Sequence, residues 1–186
     1  GNSSNNMASG DYTYGNNPGL YHGGDFAGVT QKLDYLQNLG INTIWISPIV
    51  DNIDGVYNDN EDVPFSAAFH GYWTKDFTSI EKTFGTPQEF ETLVNEAHKR
   101  GIKIMVDVVL NHTGYGVEYD NQFEGMIRYD DQDNDIQSSL YGLPDFITED
   151  KTVRDKIIGW QTAWMKQFPI DYFRVDTVNN VDLTTW

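Results

Sequence analysis

The feature that most constrains the fold is a nearly unbroken apolar run at residues 102–110 (IKIMVDVVL). Aliphatic and β-branched residues that follow one another without alternation are typical of a strand buried on both faces of a parallel sheet. Gly101 precedes the run and ends a helical pattern that opens at Thr86, with proline next and an acidic residue in the first turn. The run therefore predicts a helix followed by a buried parallel strand.

Two similar units flank this one. Residues 26–39 have apolar side chains at helical spacing, and residues 41–47 (INTIWIS) are β-branched and aromatic up to Pro48. A third helix is predicted at about residues 151–167, followed by a short buried strand at 170–175. The segment between Pro48 and Thr86 is interpreted as a polar loop. Repeated helix and strand units predict either a doubly wound sheet or a (β/α)8 barrel.

The ends of the predicted strands favour the barrel. Polar residues come directly after them, at Asn111, His112 and Asp176, and active groups of barrels lie at the C-terminal ends of strands. No glycine-rich phosphate loop follows any of these strands. A barrel needs roughly 250 residues, and residues 1–25 have no helix or strand period, as if the chain opened inside a loop. The predicted fold class is α/β, a partial (β/α)8 TIM barrel.

Residues 111–150 differ from the rest of the chain. Between Glu118 and Asp135 acidic residues recur, with Arg128 as the basic exception, and no helix or strand period persists. Such a segment is longer than an ordinary loop, so it is either an inserted small domain or a solvated acidic loop. An EF-hand starting at Asp131 is excluded because Ile136 and Gly142 stand where that loop needs glycine and glutamate. We therefore predict barrel segments at residues 1–110 and 151–186, with an insertion at 111–150.

Composition limits the partners. The 12 Lys and Arg against 28 Asp and Glu give a net charge of −16, which argues against nucleic acid as a partner. The absence of cysteine excludes disulfides, zinc-thiolate sites and a thiol nucleophile. No apolar run approaches the roughly 18 residues of a membrane span, so no membrane partner is expected. No signal peptide is present in the chain; we expect a secreted, extracellular protein, with a cytoplasmic one as the alternative.

Two strand ends carry residues that suit catalysis. Asp107 lies inside the apolar run, and a buried carboxylate is costly unless it is paired. In residues 173–176 (FRVD), alternation sends Arg174 and Asp176 to the same side of their strand, where the cation favours the ionised carboxylate. An ionised carboxylate can act as a nucleophile. Taken alone, each motif is equally consistent with an ion pair that braces the sheet.

Four motifs in order resemble the conserved blocks of the α-amylase family of glycoside hydrolases. They are residues 70–76 (HGYWTKD), 107–112 (DVVLNH), 143–146 (LPDF) and 173–178 (FRVDTV). The resemblance implies a (β/α)8 barrel with a small domain B inserted after the third strand, where the acidic segment occurs. It also implies a retaining mechanism on α-glucosidic bonds.

The resemblance also implies roles for individual residues. Asp176 corresponds to the catalytic nucleophile and Arg174 to the arginine that keeps it ionised. Asp107 and His112 belong to the block whose histidine binds the sugar in subsite −1, and Tyr72 corresponds to the tyrosine that stacks on that sugar.

Trp73 flanks the expected sugar position. Asn179 stands where the family often has a lysine that contacts the leaving-group side, so the preference at those subsites is open.

Calcium is the cofactor that the resemblance implies. Asn111 and Asp145 correspond to side-chain ligands that tie domain B to the barrel, with a backbone carbonyl at Asn180, and such oxygen ligands suit a hard cation. A second calcium site is expected from a further set of N-terminal residues: Asn2, Asn5, Asn6, Gly23 and Asp25.

The expected function is an α-amylase that hydrolyses α-1,4 bonds of starch and maltooligosaccharides. A cyclomaltodextrinase, pullulan hydrolase or glucanotransferase of the same family, and a catalytically dead glucan-binding relative, are the alternatives. The resemblance places the general acid/base glutamate and a second aspartate on later strands, beyond Trp186. Glu149, the nearest candidate by sequence, lies on the N-terminal side of the third helix, at the wrong end of the barrel for catalysis. The chain alone is therefore expected to be inactive and to need the C-terminal part of the barrel as its partner.

Overall fold

The computed structural model describes residues 19–57 and 66–186. Three strands form a parallel sheet in the order β1-β4-β5, with β1 at Thr43–Ile46, β4 at Lys103–Val108 and β5 at Tyr172–Val175. The predicted strands are confirmed as adjacent and parallel, although each is shorter than its apolar run. Because β4 and β5 run in the same direction, His112 and Asp176 follow them at the same end of the sheet. The sheet is open and does not close into a barrel within the described residues.

The three predicted helices are also confirmed. Helix α1 covers Phe26–Asn38, α2 covers Pro87–Lys99 and α3 covers Lys151–Gln167. Local signals explain their starts: the Thr86 hydroxyl and the Glu89 carboxylate form a reciprocal capping box on α2, and Asp150 caps α3. Their apolar faces cover one side of the sheet, in a continuous core that includes Leu33, Phe90 and Ile157.

The segment interpreted as a polar loop contains a second sheet, so that interpretation was wrong. Strands β2, at Val50–Asn52, and β3, at Thr74–Ile80, pair antiparallel. Their register shifts on both sides of Asp51, which removes the regular alternation by which a strand is recognised in a sequence. The buried Asn52 side chain links the two strands, because its amide donates to the Val50 carbonyl in β2 and accepts from the N–H of Trp73, just before β3.

Residues 111–150 contain turns, isolated bridges and a short 3-10 turn at Asn121–Phe123. His112 bridges Asp145, and Ile127 bridges Phe146, both antiparallel. Phe123, Met126 and Phe146 are buried in the same core as the sheet. This segment is therefore packed onto the sheet rather than solvated throughout. In the two described ranges, no helix has the length and apolarity that a membrane span requires.

Candidate active site

The site forms where β4 and β5 end. Asp107 and Arg174 are direct neighbours in the register of the two strands, and the Asp176 N–H donates to the Val108 carbonyl at 2.9 Å. Alternation along a strand places residues 174 and 176 on the same face. The sheet therefore gathers both carboxylates and the guanidinium at one point, as the sequence predicted.

Arg174 connects the two carboxylates through a single nitrogen. Its Nη1 donates to Asp107 Oδ2 at 3.0 Å and to Asp107 Oδ1 at 3.2 Å, and it also donates to Asp176 Oδ1. The Asp107 side chain is fully buried, whereas that of Asp176 keeps 22% of its surface exposed. Asp107 thus lies behind Arg174, and Asp176 is the carboxylate that solvent and a ligand can reach.

The Asp107 carboxylate collects donors from several parts of the chain. Oδ2 accepts from the Tyr72 hydroxyl at 2.8 Å and from the Trp45 indole N–H at 3.0 Å, in addition to Arg174. Burial raises the pKa of Asp107 above its ordinary value, while these donors favour the ionised form. With its oxygens so occupied, Asp107 orients Tyr72 and Arg174 rather than contacting a sugar directly.

Aromatic rings continue outward from Tyr72. Its ring stacks obliquely on that of His70, with centroids 5.8 Å apart and planes inclined by 28°, and His70 meets Trp73 edge to face at 4.6 Å. Trp73 packs against Tyr115 at 5.2 Å, and Tyr115 stacks on Tyr57 with centroids 3.8 Å apart. The predicted residues Tyr72 and Trp73 are therefore part of one aromatic wall beside the carboxylates.

His112 is neutral and held on both sides. Burial lowers the pKa of its imidazole to about 4. The Tyr72 carbonyl, 3.2 Å from Nε2, can only accept, so Nε2 carries the proton and Nδ1 accepts from Asn111 Nδ2 at 3.3 Å. A sugar hydroxyl bound by His112 would share Nε2 with the Tyr72 carbonyl.

The predicted calcium ligands lie at the junction between β4 and the inserted segment. The Phe146 N–H donates to the Asn111 carbonyl at 2.8 Å, and the Thr113 N–H donates to the Pro144 carbonyl at 3.1 Å. These backbone bonds hold Asn111 and Asp145 on paired segments. Both side chains are almost completely buried.

One oxygen on each of these two side chains has no hydrogen-bond partner. Among the described residues, Asn111 Oδ1 and Asp145 Oδ1 are buried side-chain oxygens that accept from no donor. The other Asp145 oxygen accepts from Arg128 Nε at 3.1 Å, and Asn111 Nδ2 faces His112. Buried oxygens left without donors are costly, and amide and carboxylate oxygens are the ligands of hard cations. The residues present fit calcium.

The remaining predicted residues make no hydrogen bond to Asp107, Arg174 or Asp176 in the described part of the chain. Asn179 is exposed, and the Asn180 side chain donates to the Asp135 carbonyl at 3.0 Å, so the segment after Asp176 touches the insertion. Asp25 caps α1 through the Gly28 N–H, and Gly23 has a φ of 91°. Asn2, Asn5 and Asn6 lie outside the described residues, so the second calcium site stays a prediction. Across residues 19–57 and 66–186, no cluster of three or more His, Asp or Glu side chains is arranged to hold a metal.

Local patterns in the sequence do not identify Trp45 or Arg128 as residues of the site. Trp45 reads as an aromatic strand residue, and Arg128 as the basic exception in an acidic segment. Arg128 Nη2 binds both oxygens of Glu149, at 2.6 and 2.7 Å, while Nε binds Asp145. Glu149 is thereby engaged in an ion pair with Arg128 in the segment of residues 111–150, which agrees with its exclusion as a general acid.

Comparison with known proteins agrees with this geometry. The model of the α-amylase catalytic domain matches residues 2–139. Alpha-amylase 2 of Schwanniomyces occidentalis is 36% identical over 184 residues, covering 88% of this chain and 35% of that protein. The chain spans 35% to 39% of the length of the first curated relatives that it matches.

Two solved structures resemble the chain closely. The α-amylase from Geobacillus thermoleovorans, complexed with acarbose, has a TM-score of 0.80 at 35% identity, covering 94% of this chain and 39% of its own. The cyclomaltodextrin glucanotransferase CldA has a TM-score of 0.81 at 25% identity, covering 97% of this chain and 43% of its own.

Proposed function

The chain belongs to the α-amylase family of glycoside hydrolases, and we propose that it forms the nucleophile-bearing part of a retaining α-amylase. The substrate is an α-1,4-linked glucan, namely starch or a maltooligosaccharide. The observation that carries the proposal is the arrangement of Arg174 between two carboxylates of unequal exposure. One carboxylate anchors the guanidinium, and the other meets the substrate.

In this mechanism Asp176 attacks the anomeric carbon and forms a covalent glycosyl ester. The hydrogen bond from Arg174 keeps the attacking carboxylate ionised, and it also orients the oxygen that it binds. A retaining enzyme needs a second carboxyl about 5 to 5.5 Å away to protonate the leaving oxygen. We expect this general acid in the part of the relatives that the chain does not cover. Residues 1–186 alone are then inactive.

The aromatic wall supports a neutral sugar as the ligand. A pyranose ring buries its C–H face against an aromatic ring while its hydroxyls stay free to hydrogen bond. The Tyr72 hydroxyl and Arg174 donate to the same Asp107 oxygen. Trp73, Tyr57 and Tyr115 extend the aromatic surface outward. The net charge of −16 disfavours an anionic polymer. The wall thus suits a chain of several glucose units.

Calcium completes the junction in this proposal. Asn111 Oδ1, Asp145 Oδ1 and the Asn180 carbonyl would hold it, and the ion would supply positive charge to a strongly acidic region. Residues 111–150 then act as domain B, joined to the barrel segments 1–110 and 151–186 at this point. Secretion of the whole protein remains a prediction, with the cytoplasm as the alternative.

The function is tested with the full-length protein that contains this chain. We expect release of the α-anomer from maltoheptaose and soluble starch, followed by NMR before mutarotation sets in. A fluorinated maltosyl inhibitor that traps the glycosyl intermediate should label the peptide containing Asp176. Initial release of the β-anomer, or a label on another residue, would contradict the proposal.

The same assay separates the alternatives within the family. Cyclic products from starch would indicate a glucanotransferase, the class of CldA. A strong preference for cyclodextrins would indicate a cyclomaltodextrinase. Turnover restricted to α-1,6 bonds or to sucrose would refute the assignment, and glucan binding without any turnover would indicate an inactive relative.

A further inference from the structure

Trp45 occupies an unusual place in β1. Its neighbours Ile44 and Ile46 pack against the hydrophobic core, whereas the Trp45 side chain points to the other face of the sheet and is 55% exposed. In the register, Trp45 lies beside Met105 of β4, two residues before Asp107. Trp45 therefore shares a face with the site residues of β4 and β5.

The indole contacts both members of the central ion pair. Its Nε1–H donates to Asp107 Oδ2 at 3.0 Å. The Arg174 guanidinium carbon lies over the indole ring, 4.8 Å from its centroid. Such cation–π contact restrains the guanidinium because the ring attracts the cation over its face. One side chain thus holds the carboxylate through its edge and the cation through its face.

The contact with Arg174 bears on the nucleophile. The same Nη1 donates to Asp107 and to Asp176. A small rotation of the guanidinium would weaken one of these hydrogen bonds. The indole face under the guanidinium limits that rotation, so it fixes the direction from which Arg174 reaches Asp176.

The contact with Asp107 bears on its charge. Burial raises the pKa of this carboxyl, and hydrogen bonds from Tyr72, Arg174 and Trp45 oppose the rise, while the charge of Asp176 adds to it. If Asp107 took up a proton, Arg174 would lose the partner that anchors it, and Tyr72 would lose a charged acceptor.

We propose that Trp45 is a positioning residue for the reaction, holding Asp107 and Arg174 in the geometry that presents Asp176 to the sugar. This inference rests on the proposed function for its kinetic consequences. Its structural part, the hydrogen bond between the indole and Asp107, stands on the contacts alone. Trp45 itself acts only through Asp107 and Arg174.

The kinetic test uses Trp45→Phe in the full-length protein. Phenylalanine keeps an aromatic face under Arg174 but removes the N–H donor. We expect kcat on maltoheptaose to fall about tenfold, the effect of one hydrogen bond to a charged group, while KM changes by less than about twofold. The acid limb of the kcat/KM profile should move up by about half to one pH unit, because Asp107 then protonates more readily amid Tyr72, Arg174 and Asp176. Trp45→Leu, which also removes the ring, should be slower still.

Trp160 provides a matched control. It also has a cation over its ring, with Lys156 Nζ 5.1 Å from the centroid, but it lies in α3 and stacks on Phe77 in the core. Trp160→Phe should leave kcat and the pH profile unchanged. An equal shift of the pH profile in both variants, or an unshifted profile in Trp45→Phe, would overturn the proposal.

A second measurement uses the wild-type protein without substrate, so it does not depend on whether a variant folds. In the wild-type protein, the NMR signal of the Trp45 indole N–H should shift with the titration of Asp107, and the Asp107 carboxyl ¹³C signal should titrate at the same pH. If the indole signal does not respond, the positioning role is wrong. If it responds but no α-glucan is hydrolysed, the proposed function fails while the hydrogen bond that positions Asp107 is retained.

Discussion

Two buried polar clusters lie at the end of β4, one at Asp107 within the strand and one at Asn111 just after it, and they differ in how their buried oxygens are satisfied. At the strand end, Asp107 receives hydrogen bonds from Tyr72, Trp45 and Arg174, all from the chain itself. At the junction cluster, where residues 111–150 join the sheet, Asn111 Oδ1 and Asp145 Oδ1 are buried and accept no hydrogen bond from the part of the chain that the structure describes.

The difference separates two ways of building a functional region. In the strand-end cluster, donors from the chain itself satisfy both oxygens of the buried Asp107 carboxylate, so its geometry is set before any ligand arrives, which is what stabilising a transition state requires. The junction cluster has an excess of oxygen acceptors, because Arg128 satisfies only one Asp145 oxygen. A cation from outside the chain would bind these oxygens, which would link the packing of residues 111–150 onto the sheet to that ion.

The sharpest test of the strand-end cluster is Asp176→Asn in the full-length enzyme. The amide cannot form the glycosyl ester, so kcat should fall by more than about 10⁴-fold. The dissociation constant for maltoheptaose, measured by calorimetry, should change by less than about threefold.

The matched control for this variant is Asp182→Asn. Asp182 lies in the same segment, but its carboxylate caps a 3-10 turn by accepting from the N–H and the hydroxyl of Thr184. Its kcat should equal that of the wild type. Retention of more than about a hundredth of the activity in Asp176→Asn would remove Asp176 from the nucleophile role.

The junction cluster is tested by removing calcium. An ion held at about one hundred times its dissociation constant stabilises the protein by roughly 2.7 kcal/mol, so chelation should lower the melting temperature by several degrees. Asn111→Ala and Asp145→Ala should each abolish the response to calcium.

Asp131→Asn serves as the control for this experiment. Asp131 belongs to the same acidic segment but binds Ser139 through both of its oxygens on the exposed surface. This variant should keep the full response to calcium. Melting curves of the wild type that do not change on chelation would mean that the two oxygens have another partner in the whole protein.

The sequence anticipated features that depend on neighbouring residues. The helix start at Thr86 follows from capping within one turn. Alternation within one strand placed Arg174 beside Asp176, and the order of motifs identified the family. These inferences needed no knowledge of how distant segments pack.

Features set by distant segments were missed. Trp45 meets Asp107 only because β1 and β4 pair in a particular register, and a shift of one residue would turn the indole to the other face. The β2 and β3 sheet depends on the buried Asn52 amide and has an irregular register. Arg128 reaches Asp145 and Glu149 through the folding of an aperiodic segment, which no local pattern specifies.

The pH dependence of stability sharpens the comparison further. Although Arg128 opposes the effect, burial raises the pKa of Asp145 to about 7 from 3.8 in the metal-free chain. The folded state then binds this proton more tightly than the unfolded state, so the contribution of Asp145 to stability is lost as pH rises toward about 7.

We therefore expect chelated protein to unfold at lower urea concentration at pH 7 than at pH 5, with a smaller difference in Asp145→Asn. Saturating calcium should reverse the trend, because a bound cation favours the ionised carboxylate. If the urea midpoint of the wild type and that of Asp145→Asn changed equally between pH 5 and pH 7, the pH dependence would have to come from other groups.

The smallest effect is expected at the opposite end of the same sheet. Asp171, just before β5, accepts from Lys103 Nζ at 2.8 Å, His98 Nε2 at 2.7 Å and the Ile104 N–H at 2.9 Å. Despite the opposing effect of burial, these donors lower the pKa of Asp171. Its contribution to stability is therefore present at pH values above the ordinary pKa of an aspartate and is lost as the pH falls through the lowered pKa. This sign is opposite to that of Asp145.

Asp171→Asn should therefore cost about 1 to 2 kcal/mol of unfolding free energy at neutral pH and leave kcat within about twofold of the wild type. Urea unfolding and maltoheptaose kinetics on the full-length protein measure the two quantities. Because the N-terminal ends of parallel strands serve stability and the C-terminal ends serve chemistry, the two should separate cleanly in this variant. A tenfold loss of kcat with unchanged stability would show that the two ends of this sheet do not divide these tasks. A long-range coupling between Asp171 and the active site would then have to be added to the contrast between the strand-end cluster and the junction cluster.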